Sequence, residues 1–226
     1  MKIAVVIPVY NEERAIKKVI TEWYKELKKY NFFFKILIIN DGSTDNTQKI
    51  INKIRNKRIK IFHNNNSGHG KACFFGYKYA IKENFTHILQ IDSDGQCNPR
   101  YFQRLFNEIV KYPVVYGYRK KRKDGILRKF FSRVMEFLIY LRSFKFIKDP
   151  NSPYRMIKCA YLKKAIKNFP KNVDLSNVYL TFLLSKIVRI HYVPIVFSKR
   201  YYGKSKYGFT KMLKSLINLL LQSYWI

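Results

Sequence analysis

Short apolar runs alternate with amphipathic stretches along the first half of the chain. Runs rich in valine and isoleucine predict five β-strands, at Ile3–Pro8, Phe34–Asn40, Ile59–His63, His87–Ile91 and Val114–Gly117. Apolar residues at helical spacing predict helices between them, at Glu13–Lys29, Asn46–Ile54, Lys71–Lys82 and Pro99–Lys111. Because the strands are almost continuously apolar and alternate with helices, the pattern predicts an α/β fold. Its mostly parallel central sheet would be covered by helices on both faces.

The second half of the chain is more helical and more basic. Apolar residues at helical spacing between 126 and 141 predict a long helix with arginines and lysines among them. Residues 149–158 predict a loop and a short strand, Val193–Phe197 a further strand, and Phe209–Leu221 a terminal amphipathic helix. The chain has no internal repeat and no flexible linker, so we expect one domain over residues 1–226.

Polar clusters directly follow four of the predicted strands, at residues 8–12, 41–45, 64–70 and 92–96. In open α/β sheets, ligands bind outside the carboxyl ends of the strands, so these clusters mark a candidate site. Local structure alone could explain each cluster, for example as an Asp-Gly turn or a helix N-terminus. The cluster at 64–70 lacks the glycine patterns of a phosphate loop or a dinucleotide fold and favours a simple loop.

Two aspartates stand two residues apart at the end of the fourth predicted strand. The period of a strand directs Asp92 and Asp94 to the same side, and Gln96 follows them. Carboxylate and amide oxygens are the ligands that Mg²⁺ and Mn²⁺ prefer. An EF-hand is excluded, because Cys97 and Gln103 stand where its loop needs glycine and glutamate. A purely structural acidic turn is the alternative.

The charge of the chain points to an anionic partner. With 45 Lys+Arg against 14 Asp+Glu the formal net charge is +31, which fits nucleic acid, an acidic membrane surface or a phosphorylated substrate. A hydrophobic content of 47% excludes a disordered basic tail.

The three cysteines form no CxxC pair, which favours a reducing compartment. No signal peptide or membrane-spanning run is visible, so we expect a protein that lies on a membrane without crossing it.

Four segments in this order resemble family 2 glycosyltransferases with the GT-A fold. They are PVYNEE (8–13), INDGSTDNT (39–47), NSGHGKACFFGYKYA (66–80) and IDSDGQCNP (91–99). The glutamine after DSDG is typical of the polyprenyl-phosphate branch, which includes dolichyl-phosphate mannose synthases. Later segments resemble the family more weakly: VVYGYR (114–119), FFSRVMEFL (130–138), DPNSPYRMIK (149–158) and VPIVFSKRYYGKSKYG (193–208).

The resemblance implies a role for each matching residue. Contacts to the donor, a GDP- or UDP-sugar, are implied for Pro8, Tyr10, Glu12, Asp41, Asp92 and Lys206. A divalent cation that neutralises the diphosphate leaving group, Mg²⁺ or Mn²⁺, is implied at Asp92, Asp94 and Gln96. Contacts to an acceptor phosphate are implied for Arg119, Arg133 and Ser205, and catalytic roles for Asp94, Asp149 and Arg200.

The implied reaction is displacement at the anomeric carbon of the sugar, with inversion and with a nucleoside diphosphate as leaving group. The expected acceptor is a polyprenyl phosphate, which is already an anion and can attack without a base. The alternative is a hydroxyl of a cell-surface glycan or glycolipid, which needs a general base. Asp149 is the candidate base, although it could also be a turn residue before Pro150. Asp174 is the one carboxylate in the segment where many relatives place an acidic residue.

The resemblance divides the expected domain into a nucleotide-sugar-binding half, residues 1–120, and an acceptor- and membrane-facing half, residues 121–226. We expect peripheral association with the cytoplasmic face of an anionic membrane, with the basic helices at the lipid surface. A nucleic-acid-binding protein is the rival interpretation, since Arg119–Lys123 is a basic run. No RNA- or DNA-binding signature appears, however, so no nucleic acid partner is expected. A degenerate transferase acting as a scaffold is disfavoured by the intact aspartate pair.

Overall fold

The computed structural model describes residues 1–120, 126–167, 169 and 176–202. Its strands are β1 (Lys2–Val9), β2 (Phe33–Asp41), β3 (Ile59–Asn64), β4 (His87–Gln90), β5 (Val114–Arg119), β6 (Arg155–Lys158) and β7 (His191–Ile195). Its α-helices are α1 (Ile16–Leu27), α2 (Thr47–Asn52), α3 (His69–Lys82), α4 (Phe102–Lys111), α5 (Ile126–Ser143), α6 (Cys159–Ile166) and α7 (Ser176–Ile187). A 3₁₀ turn at Pro99–Tyr101 precedes α4. The predicted helix at 209–221 lies outside the described residues.

The seven strands form one sheet in the order β3-β2-β1-β4-β6-β5-β7. Strand β6 runs antiparallel to β4 and β5, and the other pairs are parallel. The predicted α/β class with a mostly parallel sheet is therefore confirmed. Because β6 runs antiparallel to β4, with Arg155 opposite Gln90, the loop that precedes it lies at the edge where the parallel strands end. This arrangement brings residues 149–154 to the candidate site.

The sheet is covered on both faces, as the nearly continuous burial of β1 requires. Alternate residues of the strand serve the two cores: Val5 packs on the side of Trp23 in α1, and Val6 packs on the side of α3. Helix α3 lies so close to the sheet that a Cβ at Gly76 would be 2.5 Å from Val6 Cγ1. This packing fixes the ends of β1 and β4, from which the site is built.

A buried arginine organises the loop before β6. Arg155 is fully buried, its Nε donates to the carbonyl oxygen of Ser152 at 2.9 Å, and its guanidinium lies 4.6 Å from the ring centroid of Tyr116. Its Nη1 also donates to the carbonyl of Asn177 in α7 at 3.2 Å. Burial of this cation is tolerated because carbonyls and an aromatic ring replace its water. The interaction ties the 149–154 loop to the start of α7.

No helix within the described ranges is long and apolar enough to cross a membrane. The division of the chain into a donor-binding and an acceptor-binding half stays a prediction.

Candidate active site

The loops that follow β1 and β2 hold each other in place. The side-chain oxygen of Asn11, a residue with a positive φ of 53°, accepts from the Thr44 N–H at 2.7 Å. In return the Asn11 N–H donates to Ser43 Oγ at 3.0 Å, and the Glu12 N–H donates to Thr47 Oγ1 at 2.8 Å. Most of the polar groups in these two motifs therefore stabilise the loops themselves, as the structural alternative proposed.

Asp41 anchors the next loop along the sheet edge. Its carboxylate is buried and accepts from the N–H groups of Ser67 and Gly68, each at 2.9 Å, and from Ser67 Oγ at 3.2 Å. A carboxylate has about four acceptor positions, so the chain itself fills most of them. The contact of Asp41 to the donor stays a prediction, and the structure gives this residue a role in holding the β3–α3 loop.

The other predicted donor residues of the first motif lie at the end of β1. Pro8 is buried in the strand, opposite Ile39 of β2. Tyr10 and Glu12 are half-buried in the loop beyond it. Glu12 faces the centre of the edge, because its Oε1 accepts from Arg200 Nη2 at 3.0 Å.

The aspartate pair lies where β4 ends, and its charges are incompletely compensated. Asp94 is only 6% exposed; its Oδ1 accepts from the Gln96 N–H at 3.0 Å, and its Oδ2 lies 3.3 Å from Arg200 Nε. Asp92 Oδ1 is buried and has no hydrogen-bond partner in the described part of the chain. His69 Nε2 lies 3.8 Å from that oxygen. Burial, together with the negative charge of Asp92, raises the pKa of Asp94 to about 6.

These features fit a divalent cation. A buried carboxylate oxygen without a partner and a second carboxylate with a raised pKa are what two aspartates show when their counter-charge is missing. The side-chain nitrogen of Gln96 donates to the Ser198 carbonyl at 3.5 Å, which leaves the amide oxygen for another partner. Within the described ranges no group of three or more His, Cys, Asp or Glu is arranged so that it could hold a metal ion by itself. Remaining ligands would be water and substrate phosphates, as Mg²⁺ prefers.

The segment 198–202, which we call the strap, lies against residues 92–96, which we call the aspartate loop. The Ser198 N–H donates to the Gln96 carbonyl and the Tyr201 N–H to the Asp94 carbonyl, both at 3.1 Å. Arg200, between them, bridges Glu12 and Asp94. The structure thus brings the late motif to the aspartate pair, although the two segments are about a hundred residues apart in the chain.

Tyr201 fixes the strap to two elements. Its ring lies over Gly95, where a Cβ would be 2.4 Å from the ring, and Gly95 itself has a φ of 81°. Only glycine suits this position, because the backbone is left-handed and the ring leaves no room for a side chain. The Tyr201 hydroxyl donates to Glu22 of α1. Glu22, Tyr201 and Gly95 were not among the predicted site residues.

Arg119 and Asp149, which were predicted for separate roles, bind each other. Arg119 Nε and Nη2 donate to the two carboxylate oxygens of Asp149 at 2.7 and 2.6 Å, and the Arg119 N–H donates at 3.2 Å. Asp149 is 5% exposed and has a φ of 45°. Its own N–H donates to Glu136 Oε1 of α5 at 3.1 Å. As arranged, Arg119 engages both oxygens of Asp149, so this contact would have to open before Asp149 could act as a base.

Of the remaining predicted residues one lies on α5 and the others lie beyond the described ranges. Arg133 is exposed on α5. Ser205, Lys206 and Asp174 lie outside the described residues. Sequence reasoning missed His69, which begins α3 and whose Nε2 is 3.5 Å from Cys73 Sγ as well as 3.8 Å from Asp92 Oδ1. Its position in the polar cluster after β3 was the signal that could have found it.

Comparisons with known proteins agree with this geometry. Residues 4–168 match the model of Glycosyl transferase family 2. The undecaprenyl-phosphate 4-deoxy-4-formamido-L-arabinose transferase of Proteus mirabilis is 26% identical over 224 residues, covering 97% of this chain and 67% of the relative. An uncharacterized protein of Methanocaldococcus jannaschii, MJ0544, is 32% identical over 171 residues, covering 70% of this chain and 72% of the relative.

The fold also matches solved structures. Glucosyl-3-phosphoglycerate synthase from Mycobacterium tuberculosis, in complex with Mn²⁺, UDP-glucose and glycerol 3-phosphate, superposes with a TM-score of 0.68 at 18% identity. The match covers 97% of this chain and 79% of the synthase. The chain spans about two thirds of the length of the Proteus transferase. With the family model matching most of its length, the chain belongs to glycosyl transferase family 2 and is a glycosyltransferase with the GT-A fold.

Proposed function

We propose that this glycosyltransferase moves a sugar from a GDP- or UDP-sugar to a polyprenyl phosphate, with inversion and with Mg²⁺ or Mn²⁺. The observation that carries the proposal is the aspartate pair, with Asp94 buried and Oδ1 of Asp92 buried, and with the guanidinium of Arg200 beside Asp94. Opposite charges stand together at the sheet edge where such folds bind ligands. A nucleotide diphosphate and a divalent cation would use both charges at once. Relatives named as undecaprenyl-phosphate transferases support the choice of acceptor.

The aspartate loop holds the cation in this proposal. Asp92, Asp94 and Gln96 supply the oxygens, and the cation, when bound, neutralises the diphosphate leaving group. Asp94 is oriented for this by the Gln96 N–H, which fixes one of its oxygens. The strap keeps the loop in place through the Tyr201 N–H on the Asp94 carbonyl. A metal-bearing neighbour with a UDP-sugar, the M. tuberculosis synthase, supports this use of the fold.

Arg200 would bind the donor diphosphate. In the structure its guanidinium is shared between Glu12 and Asp94. Guanidinium groups bind phosphate oxygens bidentately, and a diphosphate carries more charge than either carboxylate. Donor binding would therefore redirect Arg200 from the carboxylates to the leaving group. Glu12 is then available to the ribose, as the resemblance implies.

The arrangement around Asp149 favours an acceptor that is already an anion. Both oxygens of this carboxylate accept hydrogen bonds from Arg119, so it is poorly placed to remove a proton from a hydroxyl. A phosphate acceptor needs no such step: its oxygen forms the bond to the anomeric carbon while the bond to the diphosphate breaks. Arg133 and Ser205 are the proposed contacts to this acceptor phosphate, with Arg119 released from Asp149.

We further propose that the protein works peripherally on the cytoplasmic face of a membrane, where both a nucleotide sugar and a lipid phosphate can be reached. The +31 charge supports this location. Each lysine or arginine near an anionic leaflet adds on the order of 1 kcal/mol of attraction.

The test is an acceptor and donor panel. The full chain is incubated with Mg²⁺ or Mn²⁺, a set of GDP- and UDP-sugars, and either polyprenyl phosphate or oligosaccharide acceptors. We expect glycolipid with inverted anomeric configuration and release of one nucleoside diphosphate per transfer. Transfer to oligosaccharide hydroxyls, with none to the lipid phosphate, would reject the proposed acceptor and favour the glycan alternative. Full activity in a strong chelator would reject the metal.

A further inference from the structure

Helix α5 carries an apolar face that nothing in the described residues covers. One side of the helix packs inward through Met135 and Ile139. The other side presents exposed apolar residues at helical spacing, and further exposed apolar residues stand in the loop that follows and at the end of α7: Phe137, Tyr140, Leu141, Phe144, Phe146 and Ile187. We call these six residues the aromatic edge. They are six of the fourteen large apolar side chains exposed in the described chain, so exposure is concentrated here.

Two aromatic side chains of the loop after α5 point into solvent, and the backbone of the loop holds them there. Phe144 is 83% exposed and Phe146 is 75% exposed, while Ile147 beside them is buried and anchors the loop. Phe144 has a φ of 51° and its N–H donates to the Tyr140 carbonyl at 2.8 Å, so it closes the helix. Glycine or asparagine is usual at such a position. A phenylalanine here is strained and gains little from packing, which indicates a role outside the fold.

A cationic cavity adjoins the loop. Its volume is about 490 Å³, and three of its lining residues are Lys145, Lys148 and Arg189. Among the described residues that line it none is acidic. The Lys145 ammonium donates to the Ser185 carbonyl, which fixes one wall, whereas Lys148 and Arg189 are exposed at the rim. A site with cations at the rim and apolar rings beside it suits a molecule with an anionic head and an apolar body.

We propose that the aromatic edge and this cavity form a docking surface for an anionic phospholipid bilayer. Phe144 and Phe146 enter the membrane interface, and Lys148 and Arg189 bind the phosphate headgroups. Aromatic rings prefer the interface between headgroups and acyl chains, and basic amphipathic helices bind anionic lipid in this way. The positive charge of the chain is complementary to such a surface.

The inference deepens the proposed function, on which it rests for a lipid acceptor in the same membrane. The loop continues directly into Asp149, which binds Arg119 at the end of β5. Docking through Phe144 and Phe146 would therefore place the acceptor side of the site near the bilayer. The other conceivable occupants of the edge are a second copy of the chain and residues 203–226.

The first experiment measures binding to vesicles that contain no polyprenyl phosphate. Full-length protein is sedimented with vesicles of phosphatidylcholine and phosphatidylglycerol. We expect Phe144→Ser/Phe146→Ser to bind roughly tenfold more weakly or worse, because two interfacial rings are lost. The matched control is Val110→Ser/Tyr112→Ser, which removes two exposed apolar residues at the same spacing near the end of α4. It should bind as wild type does, and thermal unfolding checks that both variants fold.

The second experiment reports the position of the loop directly. A tryptophan at Phe146→Trp should be quenched by brominated lipids in anionic vesicles, and one at Val110→Trp should not. For the charges, Lys148→Gln/Arg189→Gln should lose more of the salt-sensitive binding than Lys17→Gln/Lys25→Gln, which neutralises two exposed lysines on α1.

Three results would overturn the inference. Equal vesicle binding by the Phe144/Phe146 and Val110/Tyr112 variants would show that the edge does not dock. A wild-type dimer that the Phe144/Phe146 variant converts to monomer, with vesicle binding unchanged, would assign the edge to a second copy. Equal quenching of the tryptophans at positions 146 and 110 would mean that the loop does not enter the bilayer. Vesicle binding would then be due to diffuse positive charge, or residues 203–226 would be the occupant of the aromatic edge. Transfer to polyprenyl phosphate in detergent micelles is measured separately, so the proposed function can fail or stand on its own.

Discussion

Asp41 and Asp94 occupy similar positions and do different work. Each lies at the carboxyl end of a strand in the parallel part of the sheet, and each is more than nine-tenths buried. Asp41 accepts three hydrogen bonds from the loop that it anchors. Asp94 accepts a hydrogen bond from the Gln96 N–H and shares Arg200 with Glu12, and it stands beside Asp92, whose buried Oδ1 has no hydrogen-bond partner among the described residues. Burial is therefore common to the two carboxylates, and incomplete compensation of the charge within the described residues is what distinguishes the Asp94 site.

The largest expected effect separates the two residues by activity. Asp94→Asn removes a charge on which the proposed cation depends, so sugar transfer should fall roughly 100-fold or more. The fold should persist, because the asparagine oxygen can still accept from the Gln96 N–H. Turnover with a nucleotide sugar and polyprenyl phosphate measures the loss of activity. Thermal unfolding checks that the fold persists. Wild-type turnover in a folded Asp94→Asn protein would remove this residue from the mechanism.

A second difference is expected in the dependence of stability on pH, measured without divalent metal. Burial raises the pKa of Asp94 from its ordinary value of 3.8 to about 6, so between these values the folded state binds more protons than the unfolded state. The free energy of unfolding should therefore fall as pH rises through this window, by about 1–3 kcal/mol in total. Denaturant titrations from pH 4 to 7 measure it, and Asp94→Asn should lose the contribution. If the free energy of unfolding of Asp94→Asn falls with pH as steeply as that of the wild type, other titratable groups cause the dependence.

Asp41→Asn should act on stability more than on chemistry. The new amide nitrogen would face either the Gly68 N–H or the Ser67 N–H, both of which are donors, and a buried donor would lose its acceptor. We expect a loss of about 1–3 kcal/mol in the free energy of unfolding, measured by denaturant titration. The opposite result would be an Asp41→Asn protein that is as stable as the wild type but binds the donor more weakly. That result would indicate that Asp41 contacts the donor, as the family resemblance implies.

Much of this fold is readable in the sequence, because buried parallel strands and the polar loops after them leave a strong pattern. The predicted strands at residues 3–8, 34–40 and 59–63 lie within β1, β2 and β3. The pairing of Arg119 with Asp149 could not be read, because it depends on β6 being inserted antiparallel between β4 and β5. Nothing local to either residue encodes that order.

The different roles proposed for Asp41 and Asp94 could not be predicted from the sequence either. All four polar clusters follow the carboxyl end of a strand, and only the partners supplied by distant segments distinguish a carboxylate that anchors a loop from one that is proposed to bind metal. Those partners are the β3–α3 loop for Asp41 and the strap for Asp94. Arg155 is a further example of what the sequence does not predict. A single arginine in a basic chain is expected at the solvated surface, but Arg155 is fully buried.

The smallest expected effect concerns the strap. Tyr201→Phe removes the hydroxyl that donates to Glu22 and keeps the ring over Gly95. We expect a loss of about 1 kcal/mol in the free energy of unfolding and a modest rise in the KM for the nucleotide sugar. Tyr201→Ala should be clearly worse in both measurements, because it also uncovers the aspartate loop. Equal behaviour of the two variants would mean that the ring does not hold the strap.

The central claim is that the Asp92–Asp94 pair holds a divalent cation and that Asp41 does not. Electron paramagnetic resonance of free Mn²⁺ can follow metal binding by the full chain in the presence of UDP or GDP. We predict stoichiometric binding by the wild type, retained binding by folded Asp41→Asn and loss of binding by Asp94→Asn. Undiminished Mn²⁺ binding by Asp94→Asn would contradict the account.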